Sequence, residues 1–376
     1  MKRLFVIPGL AVVLFLGGCM PSIGKKEEKV VQDNEKSIEE TVIIPEVQLK
    51  DEFYRTLLPF KPSASRGLIV DQVYSKYDMK EIEEGLLRLS TKQFDPENHF
   101  FQEGQYISKD TAINWLSRKS ETNEEGLNPA KTEKMSDDEV AEKAPVYLSH
   151  IVEQNYLVMT DDKKVRLAGI SIGLALNTIS YSRSGKEIDI PDKTIEKQGI
   201  QMSEEIVRRL RSQKGLEDIP IVVGLFKQES RNSIVPGTYF ATAIAEKGKA
   251  APSKWTIVDE QYVLFPTPTS KDKYREMNTA FLHFKQEIDD YFPSFVSVVG
   301  TGFYKDGKLS SLNIEIPIQF SGTSETIGFT QYLTSLVTKY FSDILTEVSI
   351  SSVNGPEALI VKEAGDHKPY VHIYGY

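Results

Sequence analysis

Two stretches in the second half of the chain alternate between apolar and polar residues, and this alternation constrains the fold more than any other feature. In residues 163–177 the apolar positions are Ile170, Ile172, Leu174 and Leu176, and in residues 306–320 they are Leu312, Ile314, Ile316 and Ile318. Because successive side chains of a strand point to opposite faces, each stretch predicts a β-strand with one buried face. The apolar positions coincide when the stretches are aligned, which indicates a repeat.

The segments around the two stretches support this repeat. Residues 142–159 and 274–300 each read as an amphipathic helix that runs into a strand, and residues 202–213 and 329–341 each predict a following helix. We therefore predict an α+β fold: two tandem α+β repeats with mainly antiparallel sheets, preceded by a partly helical N-terminal segment. The alternative is a chance likeness of two unrelated hairpin units, because few residues are identical between the copies.

A chain of 376 residues is too long for one small core, and we divide it into five parts. They are a lipoprotein signal peptide (1–19), a flexible charged tether (20–50), a mixed N-terminal segment (51–135), repeat 1 (136–267) and repeat 2 (268–376). The tether is predicted because its residues carry charges of both signs and few apolar side chains. A short charged helix is the alternative there.

The first nineteen residues have the layout of a secretory signal. Lys2 and Arg3 precede an apolar run from Leu4 to Leu16, which is shorter than the roughly 20 residues that a spanning helix needs. The run ends in Leu16, Gly17, Gly18 and Cys19, and these four residues resemble the lipobox of bacterial lipoproteins, in which the cysteine is lipidated and becomes the new N-terminus. An ordinary signal with an incidental cysteine is the alternative.

Lipidation at Cys19 predicts a protein held on the outer face of the cell membrane, with signal peptidase and lipid-transfer enzymes as its partners during maturation. Removal of Lys2 and Arg3 changes the formal charge from −9 to −11, which argues against nucleic acid as a partner. Cys19 is the single cysteine. Once it is acylated, no thiol remains for a nucleophile, a disulfide or a thiolate metal site, and we predict no cofactor.

Three further phrases follow the lipobox in order: YRTLLPFKPSASRGL (54–68), FQEGQY (101–106) and GLNP (126–129). With them the chain resembles, over essentially its whole length, the CamS family of sex pheromone precursor lipoproteins from Gram-positive bacteria. The resemblance implies that the cleaved signal peptide is trimmed to a short hydrophobic peptide that can act as a mating pheromone. On this sequence that peptide would lie within Ala11, Val12, Val13, Leu14, Phe15, Leu16, Gly17 and Gly18. The resemblance implies no activity for the folded domain.

Short catalytic and metal-binding patterns carry little weight here. Gly169–Gly173 matches the G-x-S-x-G pattern of hydrolases, but that chemistry needs its serine on a strained turn between a strand and a helix. Ser171 lies inside a predicted strand, so we expect it on the polar face of a sheet and without a catalytic role. The histidines at 99, 150, 283, 367 and 372 are too scattered for a zinc pair, and those at 150 and 283 fall in predicted helices.

The C-terminal strand is a candidate interaction surface. Alternation places Tyr370, His372, Tyr374 and Tyr376 on one face, where aromatic rings with polar tips could contact a sugar or a protein. Cross-strand packing under a helix is the alternative. Three basic residues around the PFKPSASRG turn could contact an anionic polymer such as teichoic acid, with a solvated loop as the alternative: Arg55, Lys61 and Arg66.

From these features we predict that the folded part is not an enzyme but a binding or interaction module for an unknown surface ligand or protein. A cell-surface hydrolase acting on wall polymer or peptide remains an alternative, and would require a serine and a histidine, or two carboxylates, in one cleft. A transporter-associated substrate-binding lipoprotein is a second alternative, and would require a ligand cleft between the two repeats.

Overall fold

The computed structural model describes residues 28–33, 39–49, 53–68, 76–268, 272–291, 297–319 and 322–375. Its strands form two large sheets, whose pairs are mostly antiparallel, and α-helices pack against both. The predicted α+β class is therefore confirmed. Among the helices of the described residues, none combines the length and the apolar composition needed to cross a bilayer.

The first sheet is built by strands from the N-terminal two thirds of the chain. These strands, with the separate β7–β8 pair, are β1 (Glu28–Asp33), β2 (Glu39–Ile44), β3 (Arg55–Thr56), β4 (Phe100–Glu103), β5 (Leu148–Met159), β6 (Lys164–Asn177), β7 (Ile179–Tyr181), β8 (Glu187–Asp189), β9 (Ile221–Gln228), β10 (Thr238–Ala245) and β11 (Ser253–Ile257). The helices of this part are α1 (Lys76–Ser90), α2 (Lys109–Leu116), α3 (Asp137–Lys143) and α4 (Asp192–Arg211). The strand order is β11-β10-β9-β6-β5-β4-β3, and the β1–β2 hairpin joins the start of β6 through β1.

The second sheet takes its strands in chain order. They are β12 (Glu260–Phe265), β13 (Val299–Lys305), β14 (Lys308–Pro317), β15 (Leu345–Ser352), β16 (Gly355–Lys362) and β17 (Tyr370–Ile373), with the helices α5 (Asp272–Tyr291) and α6 (Thr323–Tyr340). The turn between β13 and β14 has positive φ at both central residues, 51° at Asp306 and 75° at Gly307. This is the type I′ geometry that an Asp-Gly pair favours.

The two sheets repeat one arrangement of elements. In the first, the hairpin β5–β6 is followed by α4, by β9 parallel to β6, and by β10 antiparallel to β9. In the second, the hairpin β13–β14 is followed by α6, by β15 parallel to β14, and by β16 antiparallel to β15. The predicted tandem repeat is therefore present in the topology, and Ile172 and Ile314 occupy matching buried positions in the two cores.

The helix predicted at the start of residues 142–159 is wrong over most of its length. The helix α3 ends at Lys143, and β5 occupies all of Leu148–Met159. Almost every residue of β5 is buried, because helices cover both faces of the first sheet. A strand buried on both faces shows no alternation, so its apolar run cannot be distinguished from a helix by periodicity. His150 consequently lies in a strand and not in a helix.

The prediction of a flexible tether over residues 20–50 also needs correction in the part that the structure describes. Strands β1 and β2 pair over six residues, from Glu28–Ile44 to Asp33–Glu39. Val42 and Ile44 are buried in a small cluster with Leu57, which fixes the hairpin to the first sheet. The short apolar run TVII is enough to bury one face of a hairpin, although the charged residues around it hide this in the composition.

The first sheet is the middle layer of three. Helices α2 and α4 cover one face, and α1 covers the other, where the ring of Tyr239 lies between α1 and the strands. A Cβ added at Gly173 would lie 2.4 Å from the Tyr239 hydroxyl oxygen, and one at Gly224 would lie 2.6 Å from its ring. These glycines therefore make room for an aromatic side chain. The second sheet has α5 and α6 on one face and exposed polar residues on the other.

A buried charge network joins α1 to the first strand of the second sheet. The guanidinium of Arg88 donates to Glu260 at 2.7 and 3.0 Å and to Glu81 at 2.5 Å, and the Tyr262 hydroxyl donates to Glu81 at 2.6 Å. Glu81 and Glu260 are 3% and 7% exposed. Although burial alone would lower the pKa of Arg88, these carboxylates raise it above its usual value.

We predict that Arg88→Met lowers the free energy of unfolding by about 3–5 kcal/mol, because removal of one partner leaves buried carboxylates without a counter-charge. Urea unfolding followed by circular dichroism measures the change. The control is Lys80→Met on the same helix, which breaks an exposed pair with Glu84 (3.6 Å) and should leave the unfolding midpoint unchanged. Equal midpoints for wild type and Arg88→Met would contradict the role assigned to the network.

Candidate functional site

Two of the three phrases quoted above meet around one small cavity, which we call the motif pocket. Its volume is about 120 Å³, and its lining comes from the turn at residues 63–66, the middle of α1, the end of β4 and the middle of β5. The lining residues are Ser63, Ser65, Arg66, Glu83, Glu84, Leu87, Phe101, Glu103, His150, Val152, Glu153 and Gln154. Four of these are glutamates.

Glu103 holds the PFKPSASRG turn against the end of β4. Its carboxylate accepts the backbone N–H of Ser63 at 2.6 Å and lies 3.3 Å from the guanidinium of Arg66. The guanidinium also lies over the ring of Phe60, 5.6 Å from its centroid. The turn and the FQEGQY phrase are thus joined by a hydrogen bond and an ion pair, although 33 residues, α1 among them, separate them in the chain.

Glu153 explains the glycine of the FQEGQY phrase. Its buried carboxylate accepts the backbone N–H groups of Gln105, Tyr106 and Ile107 at 2.7–3.1 Å. A Cβ added at Gly104 would lie 2.4 Å from the Cβ of Glu153, so a side chain there would prevent this approach. Burial raises the pKa of Glu153, while the three N–H donors act in the opposite direction. The carboxylate is therefore fully engaged in structure.

Two titratable side chains of the lining, those of Glu83 and His150, make neither a hydrogen bond nor an ion pair among the described residues. Burial, followed by the negative charge of Glu103, raises the pKa of Glu83 above its usual value. His150 is 1% exposed, and neither ring nitrogen has a hydrogen-bond partner in the described part of the chain. Burial lowers the pKa of His150 to about 4, so its imidazole is neutral at pH 7 and offers one donor and one acceptor.

The electrostatics of the motif pocket favour a positively charged group. Arg66 is the single cation of the lining and is paired with Glu103, and Glu84 pairs with Lys80 outside the lining. Among the described residues of the lining, this leaves the carboxylate of Glu83 without an ion pair. Among the described residues, no group of three His, Asp or Glu side chains converges closely enough to hold a metal ion.

Most of the site residues predicted from the signal lie outside the described residues. These are Cys19, the lipobox residues Leu16, Gly17 and Gly18, and the whole peptide from Ala11 to Gly18; Tyr376 is also outside them. Of the three basic residues near the turn, Arg66 lines the motif pocket, while the guanidinium of Arg55 lies over the ring of Phe100, 4.9 Å from its centroid.

Of the described residues of the C-terminal stripe, Tyr370 and His372 lie on β17 at an edge of the second sheet, and Tyr374 follows directly after it. Tyr370 is 64% exposed and Tyr374 41%, and the rings of His372 and Tyr374 meet edge to face at 4.7 Å. Their register partners on β16 are Val361 for Tyr370 and Leu359 for His372. A role for this stripe in an interaction stays a prediction.

The expectation that Ser171 lies on a polar face is wrong, because α1 covers that face. Ser171 is fully buried in the middle of β6, and its hydroxyl is 2.7 Å from that of Ser90. The ring nitrogens of His150 have no hydrogen-bond partner among the described residues, and His99 bonds the carbonyl oxygen of Asp95, so neither histidine is bonded to a serine. Four cavities in the described part of the chain, the motif pocket among them, are each lined from one sheet with its helices and loops, and none of these four lies between the two sheets.

Sequence reasoning missed Glu83, His150 and Glu153 as site residues. The available signal was a run of polar residues inside an apolar stretch, His150 and then Glu153 to Asn155. In a strand that is buried on both faces, such residues must find partners or line a cavity. The assignment of a helix to this segment concealed the signal.

Comparison with known proteins identifies the family. The family model described as CamS sex pheromone cAM373 precursor matches residues 60–368. The crystal structure of a sex pheromone precursor from Lactobacillus salivarius subsp. salivarius UCC118 superposes with a TM-score of 0.81 at 29% identity, over 88% of this chain and 98% of the other. No curated protein sequence matches the chain.

A second similar structure is the C-terminal domain of the sex pheromone staph-cAM373 precursor from Staphylococcus aureus. It superposes with a TM-score of 0.70 at 33% identity, over 81% of this chain and 99% of that domain. The family match includes the motif pocket and the strands from β4 to β16, and it ends two residues before β17. The chain therefore belongs to the CamS family of sex pheromone precursors.

Proposed function

We propose that this protein is a lipid-anchored lipoprotein on the outer face of the cell membrane, whose folded part binds a small organic cation in the motif pocket. The signal layout and the family membership support the anchor. Only residues 20–27 separate Cys19 from β1, and eight residues reach at most about 28 Å. The folded part would therefore lie close to the membrane surface, not at the end of a long tether.

We predict that a radiolabelled fatty acid is incorporated into the wild-type protein and not into Cys19→Ala, because the thiol is the acceptor of the diacylglyceryl group. Metabolic labelling followed by gel electrophoresis measures the incorporation of the label. After cell fractionation, we expect the wild type in the membrane and the variant in the medium. The control is Ser120→Ala, an exposed position in the folded part, which should be labelled like the wild type. A wild-type protein that is released without label would contradict the anchor.

The family membership also supports the signal peptide as the source of a hydrophobic pheromone. We predict that synthetic AVVLFLGG, or a form trimmed at its N-terminus, induces aggregation of responsive recipient cells at low concentration. Uncharged apolar side chains allow such a peptide to fill an apolar groove of a receptor. A scrambled peptide of the same composition is the control. Equal responses to both peptides, or no response in a panel of recipients, would contradict this role.

The single observation that carries the binding role is the buried, unpartnered imidazole of His150 beside an acidic lining. A buried polar group without a partner costs roughly 1–3 kcal/mol, which a ligand that supplies the partner would recover. The cavity of about 120 Å³ has room for a group of about four non-hydrogen atoms, judged from the ≈ 30 Å³ that one water occupies in the liquid. Ethanolamine has four non-hydrogen atoms, and its ammonium would lie beside Glu83.

We predict that Glu83→Gln weakens the binding of ethanolamine about tenfold, because it removes a charge-assisted hydrogen bond. Titration calorimetry on the full-length protein in detergent measures the affinity, with ethylene glycol as the uncharged ligand. Binding should also weaken on acidification, and at a higher pH than for an ordinary glutamate, since burial raises the pKa of Glu83 and its protonation removes the negative charge. Glu121→Gln, at an exposed position outside the pocket, should bind like the wild type.

His150→Phe separates a structural role of the histidine from a ligand-binding role. The variant keeps a ring of similar shape and removes two unsatisfied nitrogens, so its unfolding free energy should equal or exceed that of the wild type. Its affinity for ethanolamine should nevertheless fall, because the ligand loses a hydrogen-bond partner. Unchanged affinity in both His150→Phe and Glu83→Gln would contradict the proposed site.

A further inference from the structure

A second cavity, of about 510 Å³, lies beside α3 at the carboxyl end of β6, and we call it the Arg118 pocket. Its size is within the range of small-molecule sites. Its walls come from Arg118, residues 131–133, Met135, α3, Asn177 at the end of β6, and the segment 179–183. Strands β6 and β9 run parallel up to the pair Asn177–Gln228, and ligands of open α/β sheets bind outside the carboxyl ends of such strands.

The charge of this lining differs from that of the whole protein. Three cations, Arg118, Lys131 and Arg183, outnumber the two carboxylates of the lining, Glu133 and Asp137, although the chain carries a net charge of −9. Arg183 and Asp137 are 3.9 Å apart and both are largely exposed, so this pair neutralises little. The pocket thus concentrates positive charge on an acidic protein.

Arg118 is held in place by the backbone and not by a carboxylate. Its Nη1 donates to the carbonyl oxygens of Pro129 at 2.9 Å and Ala144 at 2.7 Å. In the part of the chain that the structure describes, no Asp or Glu forms an ion pair with it. A half-buried guanidinium with two neutral acceptors keeps its charge available for an anionic ligand.

The GLNP phrase fixes the backbone around Arg118. Asn128 is fully buried, and its side chain donates to the carbonyl oxygens of Leu116 and Leu148 and accepts the N–H of Leu148, all within 2.7–2.9 Å. A Cβ added at Gly126 would lie 2.5 Å from the carbonyl carbon of Arg118. The phrase therefore packs one backbone segment directly against another, and Arg118 extends from that rigid junction into the cavity.

The remaining polar lining consists mainly of hydroxyl and amide groups. Thr132, Ser180, Tyr181 and Ser182 contribute hydroxyls, and Asn177 contributes an amide. The guanidinium of Arg231 lies 3.9 Å from the centroid of the Tyr181 ring. Hydroxyl groups on a ligand match such a lining, and a phosphate matches the cations.

We propose that the Arg118 pocket binds a phosphate-bearing, polyhydroxylated ligand, with the phosphate between Arg118, Lys131 and Arg183. The phosphate could belong to a free polyol phosphate or to a repeating phosphodiester polymer, and both present the same chemistry to the pocket. This site is separate from the motif pocket, and neither depends on the other.

The test is titration calorimetry on the full-length protein in detergent, with glycerol 3-phosphate, a short poly(glycerol phosphate) and glycerol as probes. We expect a phosphate-bearing probe to bind and glycerol not to bind. The double variant Lys131→Gln/Arg183→Gln should weaken binding about tenfold, because both charges are lost while the exposed positions leave the fold intact. Lys134→Gln, in the same loop but outside the lining, should bind like the wild type.

Arg118→Gln should lose more affinity than the double variant. This substitution also removes two hydrogen bonds from the guanidinium to backbone carbonyl groups, which can disturb folding. The double variant therefore decides the outcome. Tighter binding of the polymer per phosphate identifies the polymer as the source, and equal binding identifies the free phosphate; either result supports the site. No binding of either phosphate probe at millimolar concentration overturns the proposal. An equal loss in Lys134→Gln also overturns it, since the effect would then be non-specific charge attraction.

Discussion

The ion network around Arg88 is the interaction on which the arrangement of the two sheets depends. One face of α1 packs on the first sheet through Ile82 and Leu86, and its other side reaches Glu260 at the start of the second sheet. Charges taken out of water are costly, and this cost is offset only when each charge has well-aligned partners. The network therefore requires one relative position of helix and strand. Because α1 also carries Glu83, the motif pocket is built on the same helix that joins the two repeats.

The family phrases have no catalytic pattern, and the structure gives each a physical role. In FQEGQY, Gly104 allows the approach of Glu153, and Glu103 fixes the PFKPSASRG turn through Ser63 and Arg66. In GLNP, Asn128 supplies the hydrogen bonds of a buried junction behind Arg118. These residues shape two pockets: Arg66 and Glu103 line the motif pocket themselves, whereas Glu83 and the cations of the Arg118 pocket come from other parts of the chain. Phrases of this kind specify where backbones touch, which is why they carry no chemical signature in the sequence alone.

Under our proposals, the two parts of the chain act in separate ways. The apolar signal peptide would be a product, with Cys19 as the boundary between it and the anchored protein. The folded part would present two small polar pockets of opposite charge preference near the membrane surface. The motif pocket suits a cation because its glutamates outnumber Arg66, and the Arg118 pocket suits an anion because its arginines and lysine outnumber its carboxylates. Neither pocket requires the two repeats to move relative to each other.

The sequence alone determined the α+β class, the repeat and the secondary structure of the second unit, because strands such as β14 bury one face and show it as alternation. It also determined the family, through phrases spread along the chain. Tertiary structure decided the rest. Strand β5 is covered on both faces, so periodicity could not identify it, and the pairing of β1 with β6 depends on residues more than a hundred positions apart. Both pockets join residues from distant segments, and the partners of a buried side chain such as Glu153 exist only after those segments have packed.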